Sequence, residues 1–258
     1  MRLNRVLLIL ALPFALASCM DTREELDIKK DGSGTLVMKT DMSKLIEIMK
    51  GFTSDSDIQK QGLDKTFDTT MLFKSFVDTA QSVPEDKKAV LRNGKLHLNL
   101  DVKDNIGKFD MEFPYSSPEN LSLLYESLNT STGRLKGVMN SMGANKSNEE
   151  GQTPDDDKAL PQITSVYDIT LKKGLYSRKV NKARYETFSQ TIKLDQLKQM
   201  GSMLGSMNYT LVVTLPQPVK KTTNAKAVLS SDKKTVTLSA DLMETFEHPE
   251  LLELDIEY

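Results

Sequence analysis

Few side chains in this sequence could carry out acid–base or thiol chemistry. The 258 residues include one cysteine, Cys19, and two histidines, His97 and His248, which lie far apart in the chain. The segment 201–205 places its serine one position too early for the Gly-x-Ser-x-Gly turn of a serine hydrolase. No phosphate-binding glycine loop or dinucleotide fingerprint is present. We therefore predict that the protein is not an enzyme and needs neither a metal nor a cofactor.

Cys19 follows a segment that predicts export and lipid attachment. Arg2 and Arg5 precede an uncharged run of eleven residues, Val6–Leu16. As a helix this run would span only about 17 Å, too short for a bilayer core of about 30 Å. The sequence Leu16-Ala17-Ser18-Cys19 resembles the lipobox of bacterial lipoproteins. The resemblance implies a signal peptide over residues 1–18 and a mature protein that begins at Cys19.

Acylation of Cys19 would determine the location of the protein. The resemblance implies two or three acyl chains, palmitate among them, and two or more chains hold a protein stably at a membrane. We expect a place in the cell envelope, at the outer membrane of a Gram-negative cell, with the domain facing the periplasm or the surface. The alternative is an ordinary secreted protein whose single thiol has no partner for an intramolecular disulfide.

The charge balance argues against nucleic acid as a partner. The chain has 34 basic and 36 acidic residues, and residues 1–18 contain two arginines and no acid. The mature chain would therefore have 32 basic and 36 acidic residues, a net charge of −4. Such a surface offers no general attraction to nucleic acid or to anionic lipid. No second apolar run in the sequence is longer than Val6–Leu16 or long enough to span a membrane, so the anchor would depend on Cys19.

The hydrophobic pattern predicts an α+β fold, with antiparallel hairpins forming a sheet that packs against several amphipathic helices. Strict alternation over Leu96–Val102 after Asn93-Gly94 indicates a half-buried strand, with His97 on the face opposite the leucines. The spacing of apolar residues over Thr66–Ala80 predicts a helix. The predicted organisation is a signal peptide over 1–18, a tether over 19–25, an N-terminal α+β part over 26–143, an acidic flexible linker over 144–160 and a strand-rich C-terminal part over 161–258 that packs with the first as one unit.

Methionines are frequent and recur at helical spacing. The chain contains 13 of them, including Met139, Met142, Met200, Met203 and Met207. Their side chains could pack helices against the sheet, line an adaptable apolar groove, or bind Cu(I) through their thioethers. The sequence favours packing, because no histidine or second cysteine supports a copper site.

Two acidic segments could in principle hold a cation. Asp27 and Asp31 lie near a glycine, but the further oxygen ligands of a calcium loop are missing at the required spacing, and a hairpin turn is favoured. The run 155–157 contains three aspartates within a polar segment, and such a run is usually solvated.

Two short stretches resemble the LppM-like domains of bacterial envelope lipoproteins. One is the hairpin at 31–35, and the other is the strand 209–216 with the following 223–224 and 235–238. The resemblance implies an α+β fold held near the membrane and a link to recognition of envelope lipids. Since it covers about a quarter of the chain, no binding residue is transferred.

These observations lead to a functional prediction. We expect a non-catalytic, lipid-anchored envelope lipoprotein, acylated at Cys19, whose domain binds a protein partner or an amphiphilic ligand. The alternative is a hydrolase of envelope glycans or lipids that uses two carboxylates facing each other across a cleft.

Overall fold

Strand β1, Met20–Ile28, starts directly after Cys19 in the sequence and occupies a central place in the fold. The computed structural model describes residues 20–60, 66–79, 83–128, 163–191 and 205–258. The predicted tether over 19–25 is wrong for residues 20–25, because they belong to β1. The charged side chains suggested a solvated segment, but Asp21, Arg23 and Glu25 lie on the outer face of a sheet and Glu24 on its inner face.

An eight-stranded sheet is the largest element of the structure. Its order is β10-β11-β8-β1-β2-β5-β4-β3. Beyond β1, its strands are β2 Gly34–Asp41, β3 Phe67–Leu72, β4 Lys95–Asp101, β5 Ile106–Tyr115, β8 Met207–Thr214, β10 Val228–Leu229 and β11 Thr235–Asp241. β1 pairs in parallel with β8, and the other pairs are antiparallel. The β1–β8 pair makes the N-terminal and C-terminal parts share one sheet.

A second, four-stranded sheet packs its inner face toward the first. Its order is β6-β7-β12-β9, with β6 Tyr167–Lys172, β7 Leu175–Val180, β12 Leu254–Glu257 and β9 Lys221–Thr222. Alternate residues of β6, β7 and β12 are buried in one cluster with the inner residues of the large sheet.

The described residues contain seven α-helices, most of them short. They are α1 Ser43–Phe52, α2 Asp55–Lys60, α3 Lys74–Val77, α4 Glu85–Leu91, α5 at 118–128, α6 Lys182–Thr191 and α7 Leu242–Glu247. Two 3₁₀ turns, Ile163–Val166 and Pro249–Leu252, precede β6 and β12. The helix predicted over Thr66–Ala80 is wrong in its first half, which is strand β3. Phe67 and Met71 are four residues apart, a spacing that fits one face of a helix as well as one face of a strand. Pairing with β4 makes the segment a strand.

The core contains both sheets and parts of the helices. Leu36, Phe113 and Leu211 from the large sheet have no exposed surface, and neither does Leu124 from α5. The predicted α+β class is confirmed. The small sheet covers part of the inner face, where the prediction had only helices. Strand partners distant in sequence cannot be recognised from local periodicity.

The β1–β2 hairpin depends on one glycine. A Cβ atom at Gly34 would overlap the backbone oxygen of Asp27 and the ring of Tyr115. The Tyr115 hydroxyl donates to that same oxygen at 2.8 Å. Glycine is therefore required where β2 leaves the turn, because any side chain would displace this hydrogen bond.

Candidate functional site

A charged pair lies in the core where the two sheets meet. Glu24 occupies an inward position of β1, and Arg178 occupies an inward position of β7. Nη1 of Arg178 donates to Oε1 of Glu24 at 2.8 Å, and both side chains are 0% exposed. A buried charge is costly unless it is paired and hydrogen-bonded, so the two residues depend on each other.

Two tyrosines complete the environment of the carboxylate. Tyr125 of α5 donates its hydroxyl to Oε1 of Glu24, and Tyr209 of β8 donates to Oε2. Nη2 of Arg178 in turn donates to the Tyr209 hydroxyl at 3.4 Å. The carboxylate therefore accepts from three donors that come from three different elements.

Two more tyrosines pack around the guanidinium. It lies 4.0 Å from the ring centroid of Tyr167, whose hydroxyl donates to the Pro249 carbonyl at 2.7 Å. A cation over an aromatic face is stabilised by the ring quadrupole. Within the described part of the chain, Nε of Arg178 and the hydroxyl of Tyr176 are buried without a hydrogen-bond partner. We refer to Glu24, Arg178 and Tyr125, Tyr167, Tyr176 and Tyr209 as the buried polar cluster.

Tyr125, Tyr209 and Arg178 keep their protons near neutral pH. Burial, and then the charge of Glu24, raises the pKa of Tyr125 and of Tyr209 well above the usual value for a phenol. Burial lowers the pKa of Arg178, but the Glu24 charge and the neighbouring tyrosines outweigh it, so the net shift is upward. Glu24 and Arg178 have no exposed surface, so a substrate could not reach them. The cluster is therefore better suited to holding the two sheets together than to catalysis.

The outer face of the large sheet carries a shallow groove. Its volume is about 320 Å³, and it is lined by Arg23, Glu25, Leu26, Asp27, Thr35, Val37, Val212 and Thr214. Glu25 accepts from Nε of Arg23 at 2.5 Å and from Nζ of Lys39 at 3.0 Å. Burial raises the pKa of Glu25, but the hydrogen bonds from Arg23 and Lys39 outweigh it and lower the pKa. We call this surface the outer-face groove.

A second open groove lies beside the small sheet, with a volume of about 370 Å³. Asn224 and Glu253 lie in its lining, and both are engaged in the fold. Nδ2 of Asn224 donates to the carbonyls of Leu251 and Glu253, and Oε1 of Glu253 accepts from the Val180 amide at 2.8 Å. These contacts hold Asn224 and Glu253 within the fold, so neither side chain is free to rearrange toward a ligand without breaking them.

The structure separates the residues that could have formed a metal or acid–base site. His97 lies beside Asp68 at 2.8 Å on the outer face, as its predicted orientation required, and His248 lies 3.1 Å from Glu250. Asp31 accepts from the amide and hydroxyl of Ser33, as in a hairpin turn. Among the described residues, no group of three or more His, Cys, Asp or Glu could hold a metal ion.

Several predicted residues lie outside the described ranges. They include Cys19, the aspartates at 155–157 and four of the five methionines named above. The fifth, Met207, is a buried core residue of β8 that pairs with Met20 of β1. This position agrees with the interpretation that the sequence favours, in which methionines pack in the core.

Sequence reasoning missed the buried polar cluster, although its signal was present. Thr22, Glu24, Leu26 and Ile28 form the alternating inward row of β1, and a charged residue interrupts it. Arg178 interrupts the equivalent row of β7. A charge at an inward strand position indicates a buried partner, but the pattern does not reveal which residue that is.

We compared the chain with known proteins. No family model matches it, and neither a curated protein nor a solved structure shows significant similarity to it. The resemblance to LppM-like domains stays a prediction, as does the lipobox. In the parts of the chain that the structure describes, none of the helices has the length and apolar character needed to cross a bilayer.

Proposed function

We propose that this protein is a non-catalytic lipoprotein of a bacterial cell envelope, anchored by acyl chains on Cys19, whose outer-face groove binds a protein partner. The anchor rests on the lipobox-like run at 16–19 and its single cysteine. The observation that carries the binding site is the outer-face groove, where charged, hydroxyl and apolar side chains are combined on a central part of the sheet.

The composition of the groove suits a protein surface. Val37 and Val212 lie on either side of Glu25 in the strand register, and threonines lie at one end of the groove. Protein interfaces combine an apolar centre with polar groups at the rim, and a flat sheet face can offer this over a large area. Arg23 and Lys39 hold Glu25 in place between the two valines, so this charged group of the groove is ordered before a partner binds.

An amphiphilic ligand finds less support than a protein partner. A lipid tail needs an apolar cavity, and the described core is filled by residues without exposed surface, such as Leu36, Phe113, Leu121 and Leu124. Both grooves described above are open and lined largely by polar or charged residues.

The hydrolase alternative also finds less support. Glu25 and Asp27 share the groove, yet they lie on one strand rather than facing each other across a cleft. A general acid needs a raised pKa, whereas hydrogen bonds lower the pKa of Glu25.

Site-specific photo-crosslinking in living cells tests the proposed partner. A photoreactive phenylalanine at Val37 lies in the groove, and the same group at Thr170, a half-buried position of the small sheet, serves as the matched control. We expect a discrete adduct from Val37 that decreases several-fold when Arg23→Glu reverses a charge in the groove. Equal adducts from both positions, or none from Val37, would contradict a partner at this face.

A further inference from the structure

Helix α1 carries an apolar stripe that the described fold covers only in part, with Leu45 and Ile48 half-buried and Met49 and Phe52 exposed. Leu45, Ile48, Met49 and Phe52 recur at the spacing of one helical face. Met49 is 53% exposed and Phe52 is 80% exposed, and no residue of α1 is fully buried. Neighbouring apolar side chains exposed on one helical face form a contiguous patch, and such patches mark interaction sites. We call these four residues the α1 stripe.

A different side of α1 packs on the sheet. A Cβ at Gly107 would overlap the side chain of Ile46, and the Gly107 amide donates to the Ser43 hydroxyl at 3.2 Å. Further along, Nζ of Lys50 donates to the Lys103 carbonyl at 2.8 Å. At about 100° per residue, Ser43, Ile46 and Lys50 share a face centred about 140°, or about 0.4 of a turn, from the centre of the stripe. The centre of the stripe therefore lies away from the face by which α1 docks onto its own domain.

Both ends of α1 are held at the end of the sheet where β1 begins. Asp21 pairs with Asp41, and Asp41 pairs with Lys108 at the start of β5. The Met42 amide, one residue before α1, donates to the Gly107 carbonyl at 2.7 Å. Lys103, which accepts from Lys50, lies in the turn between β4 and β5 at the same end. The stripe thus lies close to the point where residue 19 joins the domain.

We propose that the α1 stripe inserts into the headgroup–acyl boundary of the phospholipid bilayer that holds the anchor. This inference rests on the proposed acylation of Cys19. The anchor keeps this end of the sheet beside the bilayer, and an amphipathic helix there buries its apolar face in the lipid surface. Lys44 pairs with Glu47 at 2.7 Å, and Lys108 pairs with Asp41 at 3.6 Å, so these two lysines already have carboxylate partners within the domain. The proposed contact depends on the apolar side chains, and zwitterionic phospholipids without net charge are sufficient for it.

The contact would fix the orientation of the domain on the membrane. Two attachment points, the acyl chains and the stripe, restrain rotation that a single flexible link permits. The strands then lead away from the bilayer, and Leu72, which pairs with Lys95 at the opposite end of β4 from the β4–β5 turn, lies farther from the bilayer than α1 does.

A single-tryptophan experiment tests this contact, because the chain contains no tryptophan. The chain from Cys19 to Tyr258, which includes every contact described above, is coupled through its only thiol to phosphatidylcholine vesicles bearing a maleimide lipid. Brominated acyl chains in these vesicles quench tryptophan at the lipid boundary. The variants are Phe52→Trp and, as the matched control, Leu72→Trp, whose native residue is 56% exposed.

We expect several-fold stronger quenching of Phe52→Trp than of Leu72→Trp, with a shift of emission to shorter wavelength on coupling. Equal, weak quenching of both would overturn the inference. An emission already shifted before coupling would also overturn it, since the stripe would then be covered by the chain itself or by a second copy. Met49→Trp repeats the measurement if Phe52→Trp fails to fold. Chemical coupling replaces natural acylation, so failure of the lipid anchor in cells would leave this result unaffected.

Discussion

Oε1 of Glu24 lies 2.8 Å from Nη1 of Arg178, and the pair joins strands that are 154 residues apart in the chain. Glu24 belongs to the large sheet and Arg178 to the small one. Because Tyr125 and Tyr209 donate to the same carboxylate, the pair also links α5 and β8 to this contact. The two sheets are thus joined by a specific polar contact as well as by apolar packing.

Removing one member of this pair is expected to destabilise the protein strongly. Glu24→Gln leaves the guanidinium of Arg178 buried without a counter-charge, and breaking such a pair costs about 3–5 kcal/mol of unfolding free energy. Urea denaturation followed by circular dichroism measures the change.

The double variant Glu24→Leu with Arg178→Met is the control. It removes both charges and keeps apolar volume, so we expect a smaller loss of unfolding free energy than in Glu24→Gln alone. A double variant that loses the sum of both single effects would contradict the dependence of each charge on the other.

Alkaline pH is expected to destabilise the fold through its buried tyrosines. Burial raises the pKa of Tyr125 and Tyr209 in the folded protein, so the folded state binds more protons than the unfolded state above pH about 10. Stability is therefore fully present below that pH and falls as the pH rises through and beyond it.

Tyrosinate absorbance near 295 nm, together with circular dichroism, checks this prediction. We expect the buried tyrosines to ionise only as the protein unfolds. Their ionisation at about pH 10 with native circular dichroism would show that the phenols are accessible. Tyr185, whose burial is modest and whose pKa is raised less, is expected to titrate earlier than the cluster.

Two glycine-to-alanine variants should behave in opposite ways. Gly34→Ala places a methyl group against the Asp27 carbonyl and the Tyr115 ring, so we expect a loss of several kcal/mol or failure to fold. Gly51→Ala adds a methyl group in α1 where no atom lies nearby, and alanine favours a helix by about 0.5–1 kcal/mol. Thermal unfolding measures both, and equal melting temperatures would contradict the packing at Gly34.

The proposed anchor predicts that palmitate is incorporated at Cys19. Cys19→Ser removes the only thiol, so we expect no palmitate labelling, retention of residues 1–18 and release from membranes. Ser18→Ala, which keeps a small residue before the cysteine, is expected to label normally. Membrane association and normal processing of Cys19→Ser would exclude a lipid-anchored protein and with it the proposed function.

The sequence predicted those elements whose local pattern has one interpretation. Leu96–Val102 alternates strictly after Asn93-Gly94, and β4 lies there. Phe67–Leu72 was mistaken for a helix, because Phe67 and Met71 fit a period of two as well as one near four. Pairing with β4, rather than any local signal, makes this segment a strand.

By itself the sequence determined the class of fold and the candidate anchor, because both depend on neighbouring residues: alternation in strands, and a basic, apolar and small-residue order before Cys19. Only the tertiary structure decided that Met20–Ile28 is a central strand and that Glu24 is buried. The physical reason is that burial of a charge depends on a partner of opposite charge. For Glu24 that partner is Arg178, which the fold alone brings into contact.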